Sequence, residues 1–180
     1  MLYIVTALKS EAQAFVDFYK LKKSKLNNYT IFQNDSIRVI ISGIGVDKAR
    51  IATQTLINFF DISDEDIYLN AGICGGSYTY AIGELLEIGS LEYNGVHCHI
   101  CDTKNHLTCL DTAQSGGQYA LVDMESYGFY DAVMHNPAIK NFHIFKVVSD
   151  HFEPKNVSKE KTKQLLFQAI DAINENLKVQ

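Results

Sequence analysis

Arginine is nearly missing from this sequence: Arg38 and Arg50 are the two in 180 residues. Basic residues are also outnumbered, 16 Lys and Arg against 21 Asp and Glu, for a formal net charge of −5. A nucleic-acid backbone calls for clustered Lys and Arg, so nucleic acid is excluded as the expected partner. No apolar run is long enough to span a membrane, and the N-terminus has neither the basic start nor the apolar core of an export signal. The expectation is a cytoplasmic protein without a membrane partner, whose four cysteines (Cys74, Cys98, Cys101 and Cys109) are reduced thiols. Two prolines and no low-complexity stretch leave nothing that reads as a linker or a repeat. The expected organisation is a single domain over residues 1–180.

What is present alternates between two periodicities. Residues 2–7 are a short run of β-forming apolar residues, read as a first buried strand. Ser10 is the expected cap of a helix with Ala12, Phe15, Val16 and Tyr19 at helical spacing. Residues 29–32 and 37–41 flank Gln33-Asn34-Asp35-Ser36 and read as a hairpin. A helix from Asp47 to about Phe60 buries Ala49, Ala52, Thr53, Leu56, Ile57 and Phe60. Residues 67–71 form another buried strand that ends in Gly72-Ile73-Cys74-Gly75-Gly76, and strand-like segments follow between 84 and 122. A helix from about Met124 to His135 stops at Asn136-Pro137. Residues 142–148 form a strand that delivers Ser149-Asp150, and Ser158 caps the last helix. Strands alternating with helices predict an α/β fold: three layers, with a mixed central sheet flanked by helices.

In such sheets a ligand sits beyond the carboxyl ends of the strands. Glu11, Gly43, Gly45, Gly75, Gly76 and Asp150 all fall at expected strand ends, which predicts one site. Taken singly, each has a plainer explanation: a carboxylate early in a helix serves the dipole, and an Asp after a strand serves a turn.

Five segments together resemble those of the nucleoside phosphorylase/nucleosidase superfamily, and within it the methylthioadenosine/S-adenosylhomocysteine nucleosidases. They are Ala7-Leu8-Lys9-Ser10-Glu11, Ser42-Gly43-Ile44-Gly45 with its helix, and Asn70-Ala71-Gly72-Ile73-Cys74-Gly75-Gly76. Val122-Asp123-Met124-Glu125-Ser126 and Val147-Val148-Ser149-Asp150 complete the set, in the same order along the chain. The resemblance covers about residues 1–90 and 119–178. It implies cleavage of the N-glycosidic bond of a purine nucleoside, without a cofactor, in a homodimer. Such a reaction needs an acid for the departing base and stabilisation for a cationic sugar. By resemblance, Asp150 is the purine acid, oriented by Ser149, and Glu11 orients the attacking water. Glu125 takes the ribose hydroxyls, Met124 lies under the sugar, and Gly75 and Gly76 let backbone approach the ligand. Ile73 stands in the Gly-rich turn where the family has serine, and Asp123 where it has glutamate. Ala113 falls about where its stacking aromatic lies, which leaves Tyr119 or Phe152 to supply a ring.

A phosphorylase of the same fold, or a binding protein that has lost turnover, are the alternatives. A phosphorylase must clamp a phosphate dianion, usually with arginine. Neither Arg38, within a strand, nor Arg50, on a helix, matches the family's positions, and Lys146 is only a weak substitute. Water is therefore the expected nucleophile. The segment that departs from the family also holds His97-Cys98-His99-Ile100-Cys101, then His106 and Cys109. This spacing matches no standard zinc motif, and on a strand Cys98 faces away from His97, His99 and Cys101. The expectation here is a half-exposed strand without a metal, zinc being the alternative.

Overall fold

The computed structural model describes residues 1–178. Its centre is a mixed sheet of eleven strands, all in one hydrogen-bonded network. The chain runs β1 (Leu2–Thr6), α1 (Lys9–Tyr19), β2 (Lys22–Leu26), β3 (Tyr29–Gln33), β4 (Ile37–Ile41), α2 (Val46–Phe59) and β5 (Ile67–Gly76). It continues through β6 (Leu85–Glu87), β7 (Ser90–Tyr93), β8 (Val96–His99), β9 (His106–Cys109) and β10 (Leu121–Asp123). The last elements are α3 (Ser126–Met134), β11 (Asn141–Asp150) and α4 (Lys159–Leu177).

The layers follow from which side chains each strand buries. On one face of the sheet, Ala52, Leu56, Ile57, Phe129, Ala132 and Val133 of α2 and α3 pack with Val5, Tyr68 and Ile144. On the other, Ala12, Phe15, Leu166, Ile170 and Ile173 of α1 and α4 pack with Ile4, Leu69, Phe145 and Val147. The three-layer α/β arrangement predicted from alternating elements is the one observed. No helix among the described residues is long and apolar enough to cross a membrane.

Several local expectations are corrected. Ser10 does not cap α1. The helix already starts at Lys9, and Glu11, its third residue, reaches back so that Oε2 accepts the backbone N–H of Leu8 at 2.8 Å. The segment 72–76 is not a turn past the end of a strand. It is the second half of β5, and Gly75 and Gly76 pair with Val122 and Leu121 of β10. The strand β2 was not anticipated because Lys22, Lys23 and Lys25 break any apolar alternation. It is the outermost strand at its end of the sheet, where lysines discourage edge pairing. Ser158 does cap α4, its hydroxyl accepting the N–H of Lys161.

The placement of β5 matters most. Along one of its edges, β1 pairs in parallel from Ile67 to Asn70. Along that same side of the strand order β10 takes over, antiparallel, at Gly75 and Gly76. Between Asn70 and Gly75 that edge is open. The opposite edge carries β11, paired in parallel from Ile67 to Cys74, with the register shifting between Val148 and Asp150. An opening where neighbouring strands diverge is where α/β sheets place ligands.

Candidate active site

The opening leads into a cavity of about 710 Å³, within the 300–1,000 Å³ typical of small-molecule sites. Seven of the eight residues expected from the sequence line it: Glu11, Ile73, Gly75, Met124, Glu125, Ser149 and Asp150. Gly76 does not. A Cβ there would stand 3.0 Å from Val148, so its small size serves the packing of β5 on β11.

Glu11 is held at the gap in the sheet. Its Oε2 accepts the N–H groups of Ala7 and Leu8, both at 2.8 Å, and its Oε1 accepts the N–H of Ile73 at 3.0 Å. The last of these is a strand N–H that β1 has left and β10 has not reached. Gly72 makes the approach feasible, since a Cβ on it would lie 2.8 Å from Oε1. The helix-cap role expected of an early glutamate and a position at the site are therefore filled by one side chain. Burial pushes Glu11 above the usual carboxylate range, while the three N–H donors and the Lys146 ammonium pull it back.

Glu125 precedes α3, and its Oε1 accepts the N–H of Gly45 at the start of α2, at 3.0 Å. Burial is the main force on it, followed by the charge of Asp123; its pKa is pushed up to about 8. Asp150 ends β11 at the register shift, a feature that re-aims side chains. Its Oδ1 accepts the N–H of Glu153 at 2.7 Å, and its Oδ2 lies 2.7 Å from the Ser149 hydroxyl. That hydroxyl also reaches the Cys74 carbonyl at 3.1 Å. With one hydrogen and two acceptors within reach, the hydroxyl donates to one of them at a time.

Behind the carboxylates lies a group that sequence reasoning weighed only as a phosphate ligand. Lys146 is fully buried, and its Nζ sits 2.8 Å from Asp123 Oδ2. The same oxygen accepts the N–H of Ser126, and Asn70 joins the network through the Ser126 hydroxyl. Burial alone would lower the lysine's pKa, but the charges of Asp123, Glu125 and Glu11 raise it above its ordinary value. The available signal was a lysine in the middle of the apolar run 142–148, a position that demands a buried partner.

The arginines stay away from the cavity lining. Arg38 lies over the ring of Phe60, 4.2 Å from its centre, and Arg50 pairs with Asp47 and Asp131. Of the two rings considered for stacking, Phe152 lines the cavity and Tyr119 does not. Phe152 is seated in the space left by Gly75 and Gly117, where a Cβ would meet it at 3.3 and 2.9 Å. Ala113, with Thr112 and Gln114, also lines the cavity and brings no ring to it.

This fold is the nucleoside phosphorylase/nucleosidase fold. No protein-family model matches the chain, and no curated protein matches it in sequence. Solved structures do match. A putative 5′-methylthioadenosine/S-adenosylhomocysteine nucleosidase from Francisella philomiragia superposes with a TM-score of 0.80 over 99% of both chains, at 12% identity. The futalosine hydrolase of Helicobacter pylori gives 0.78 over 97% of both chains, at 12% identity. The methylthioadenosine/S-adenosylhomocysteine nucleosidase of Colwellia psychrerythraea, in complex with adenine, gives 0.73 over 94% of both chains, at 18% identity.

Proposed function

We propose that the chain is a purine nucleosidase that hydrolyses the N-glycosidic bond of an adenosine-type nucleoside, of the methylthioadenosine or S-adenosylhomocysteine kind. In this reading residues 1–180 are one cytoplasmic domain that works as a homodimer and takes a small-molecule purine nucleoside. The observation that carries it is one cavity lined by Glu11, Glu125 and Asp150, in which three backbone N–H groups fix Glu11 at the gap in the sheet and no arginine stands among the described lining residues. A carboxylate beside the sugar favours it as it turns cationic on bond breaking, and a lining without arginine offers a phosphate dianion no bidentate clamp. The fold neighbours, nucleosidases and a hydrolase by description, support the same class.

The residues then divide the work. Asp150 gives its proton to the departing purine, and the Ser149 hydroxyl follows the change by turning between Asp150 and Cys74. Glu11, fixed by three backbone N–H groups, orients a water at the sugar carbon and takes its proton. Glu125 holds the ribose hydroxyls, and Met124 packs under the ring. Gly75 lets Phe152 pack against the strand, and the base lies against that ring where it lines the cavity. Ile73 contributes through its backbone N–H, which fixes Glu11, so the isoleucine side chain does not disturb the role.

The test is release of free adenine from methylthioadenosine and adenosylhomocysteine, followed by chromatography with and without phosphate. Release that does not need phosphate is the expected result. A rate that vanishes without phosphate would overturn hydrolysis in favour of phosphorolysis, and binding of adenine without turnover would leave a nucleoside-binding protein.

A further inference from the structure

The strip formed by β9, β7 and β8 ends the sheet beyond β10. One face of it is apolar: Leu91, Leu107 and Cys109 are buried in the core, with Cys98 packed against it. The other face is set by register. Ser90 and Glu92 of β7 lie opposite His99 and His97 of β8, and opposite His106 and Thr108 of β9. Since paired residues share a face, three imidazoles, a carboxylate and two hydroxyls crowd one small surface.

We propose that Glu92, His97 and His106 form a zinc site on that face. Glu92 Oε2 lies 3.9 Å from His97 Nδ1 and 3.7 Å from His106 Nε2, and the ligand atoms of the three residues all fall within 4.8 Å of one another. Zinc bonds to nitrogen and oxygen at about 2.0–2.1 Å require tetrahedral neighbours about 3.3–3.4 Å apart. The observed spacings, up to 4.8 Å, reach this by side-chain rotation. His97 and His106 are exposed enough to make them, with side chains 69% and 40% accessible. Two imidazoles and a carboxylate are the donors that a borderline ion such as zinc takes, with water completing the shell.

A chance cluster of surface charges would not explain the next layer. His106 Nδ1 is 2.9 Å from the Ser90 hydroxyl, which fixes the ring and can hold the tautomer that leaves Nε2 free for a metal. The three ligands also come one from each strand, with β7 in the middle, so a bound ion ties the outermost strand β8 to β9. β9 leads within three residues into Thr112, Ala113 and Gln114, which line the cavity. The site thus braces the strand that leads into this part of the lining. Its ligand set differs from the His97, Cys98, His99 and Cys101 grouping suggested by sequence proximity. Cys98 turns to the core face, and Cys101 bonds the Ile88 carbonyl and Thr103.

The experiment uses the full chain purified without a histidine tag and stripped of metal, titrated with zinc against a chromophoric chelator. One equivalent is expected to bind. Glu92→Gln and His106→Gln should each weaken binding by more than about 100-fold, and Ser90→Ala by about 10-fold, as loss of an outer-shell partner does. Cobalt in place of zinc should give the visible absorption of a tetrahedral ion without a thiolate charge-transfer band. Circular dichroism and the melting temperature of the metal-free variants should match wild type, because all three ligands are accessible; if His106→Gln fails to fold, the more exposed His97→Gln carries the test. Binding below about a tenth of an equivalent, binding that survives His106→Gln, or a thiolate band would each overturn the proposal.

Discussion

The cavity floor and the outer strip of the sheet both collect ionisable side chains, yet they hold them in opposite ways. On the floor each group is buried and has a fixed partner: Glu11 has three backbone N–H groups, Glu125 has Gly45, and Lys146 has Asp123. On the strip the groups stand in water, with ion pairs near the limit of contact, 3.7–3.9 Å. Burial makes the floor's charges strongly interdependent, because low dielectric magnifies both attraction and the cost of a missing partner. Exposure makes the strip's charges nearly independent of folding and free to rearrange around a ligand. Perturbing the two regions should therefore give very different responses.

The largest response is expected on the floor at Asp150. Asp150→Asn keeps the shape but cannot give up a proton, and general acid catalysis is worth about 10²–10⁴-fold in rate. Turnover of methylthioadenosine should fall by that factor with the fold intact, while a nitrophenyl riboside, whose leaving group needs no proton, should lose much less. Turnover of the purine substrate within about threefold of wild type would remove Asp150 from the role.

Next comes Lys146→Met, which strands Asp123 in the interior. Breaking a buried pair from one side costs about 3–5 kcal/mol, and denaturant unfolding should report a loss of that size. Adding Asp123→Asn should recover part of it. A single variant as stable as wild type would show that the ammonium does not hold the network.

A smaller effect separates Glu125 by pH. Its pKa rises from 4.5 to about 8 on folding, so between those values the folded protein keeps a proton that the unfolded chain has released. The contribution is fully present below 4.5 and is lost as pH rises through about 8, so stability should fall with pH across that window. Glu125→Gln should flatten the slope without abolishing it, because burial raises Glu11 as well. An unchanged slope in denaturant unfolding at about pH 5 and about pH 8 would put the titration elsewhere.

The smallest effect belongs to the strip. His99 has its side chain 73% accessible and stands 3.8 Å from Asp102. His99→Gln should change stability by no more than about 0.5 kcal/mol, the range of ordinary surface substitutions. A loss above about 1.5 kcal/mol would mean that the strip is organised like the floor, by burial.

The hairpin at 34–36, the two helices α2 and α4 and the three-layer architecture could be read directly, because each is encoded by spacing within one segment: apolar residues at helical or alternate positions, a capping serine, a turn-forming tetrad. Most of the cavity lining was also legible, but only through five short segments taken jointly. Gly76 shows the limit, since its place in the motif does not distinguish a glycine that admits a ligand from one that admits Val148.

Other features arise only when segments distant in sequence meet. Nothing in the segment 7–11 says that Glu11 will accept the N–H of Ile73, 62 residues on. That bond exists because β1 ends where β10 has not begun. Lys146 and Asp123 are each improbable in an apolar core and become stable only as a pair. Likewise, one strand register sets Glu92 between His97 and His106, while the cysteines adjacent to them in sequence turn elsewhere. Local spacing determined the elements and the order of the motifs. Tertiary structure decided which polar groups face one another, because a buried or crowded charge is defined by its partner, and the partner lies on another strand.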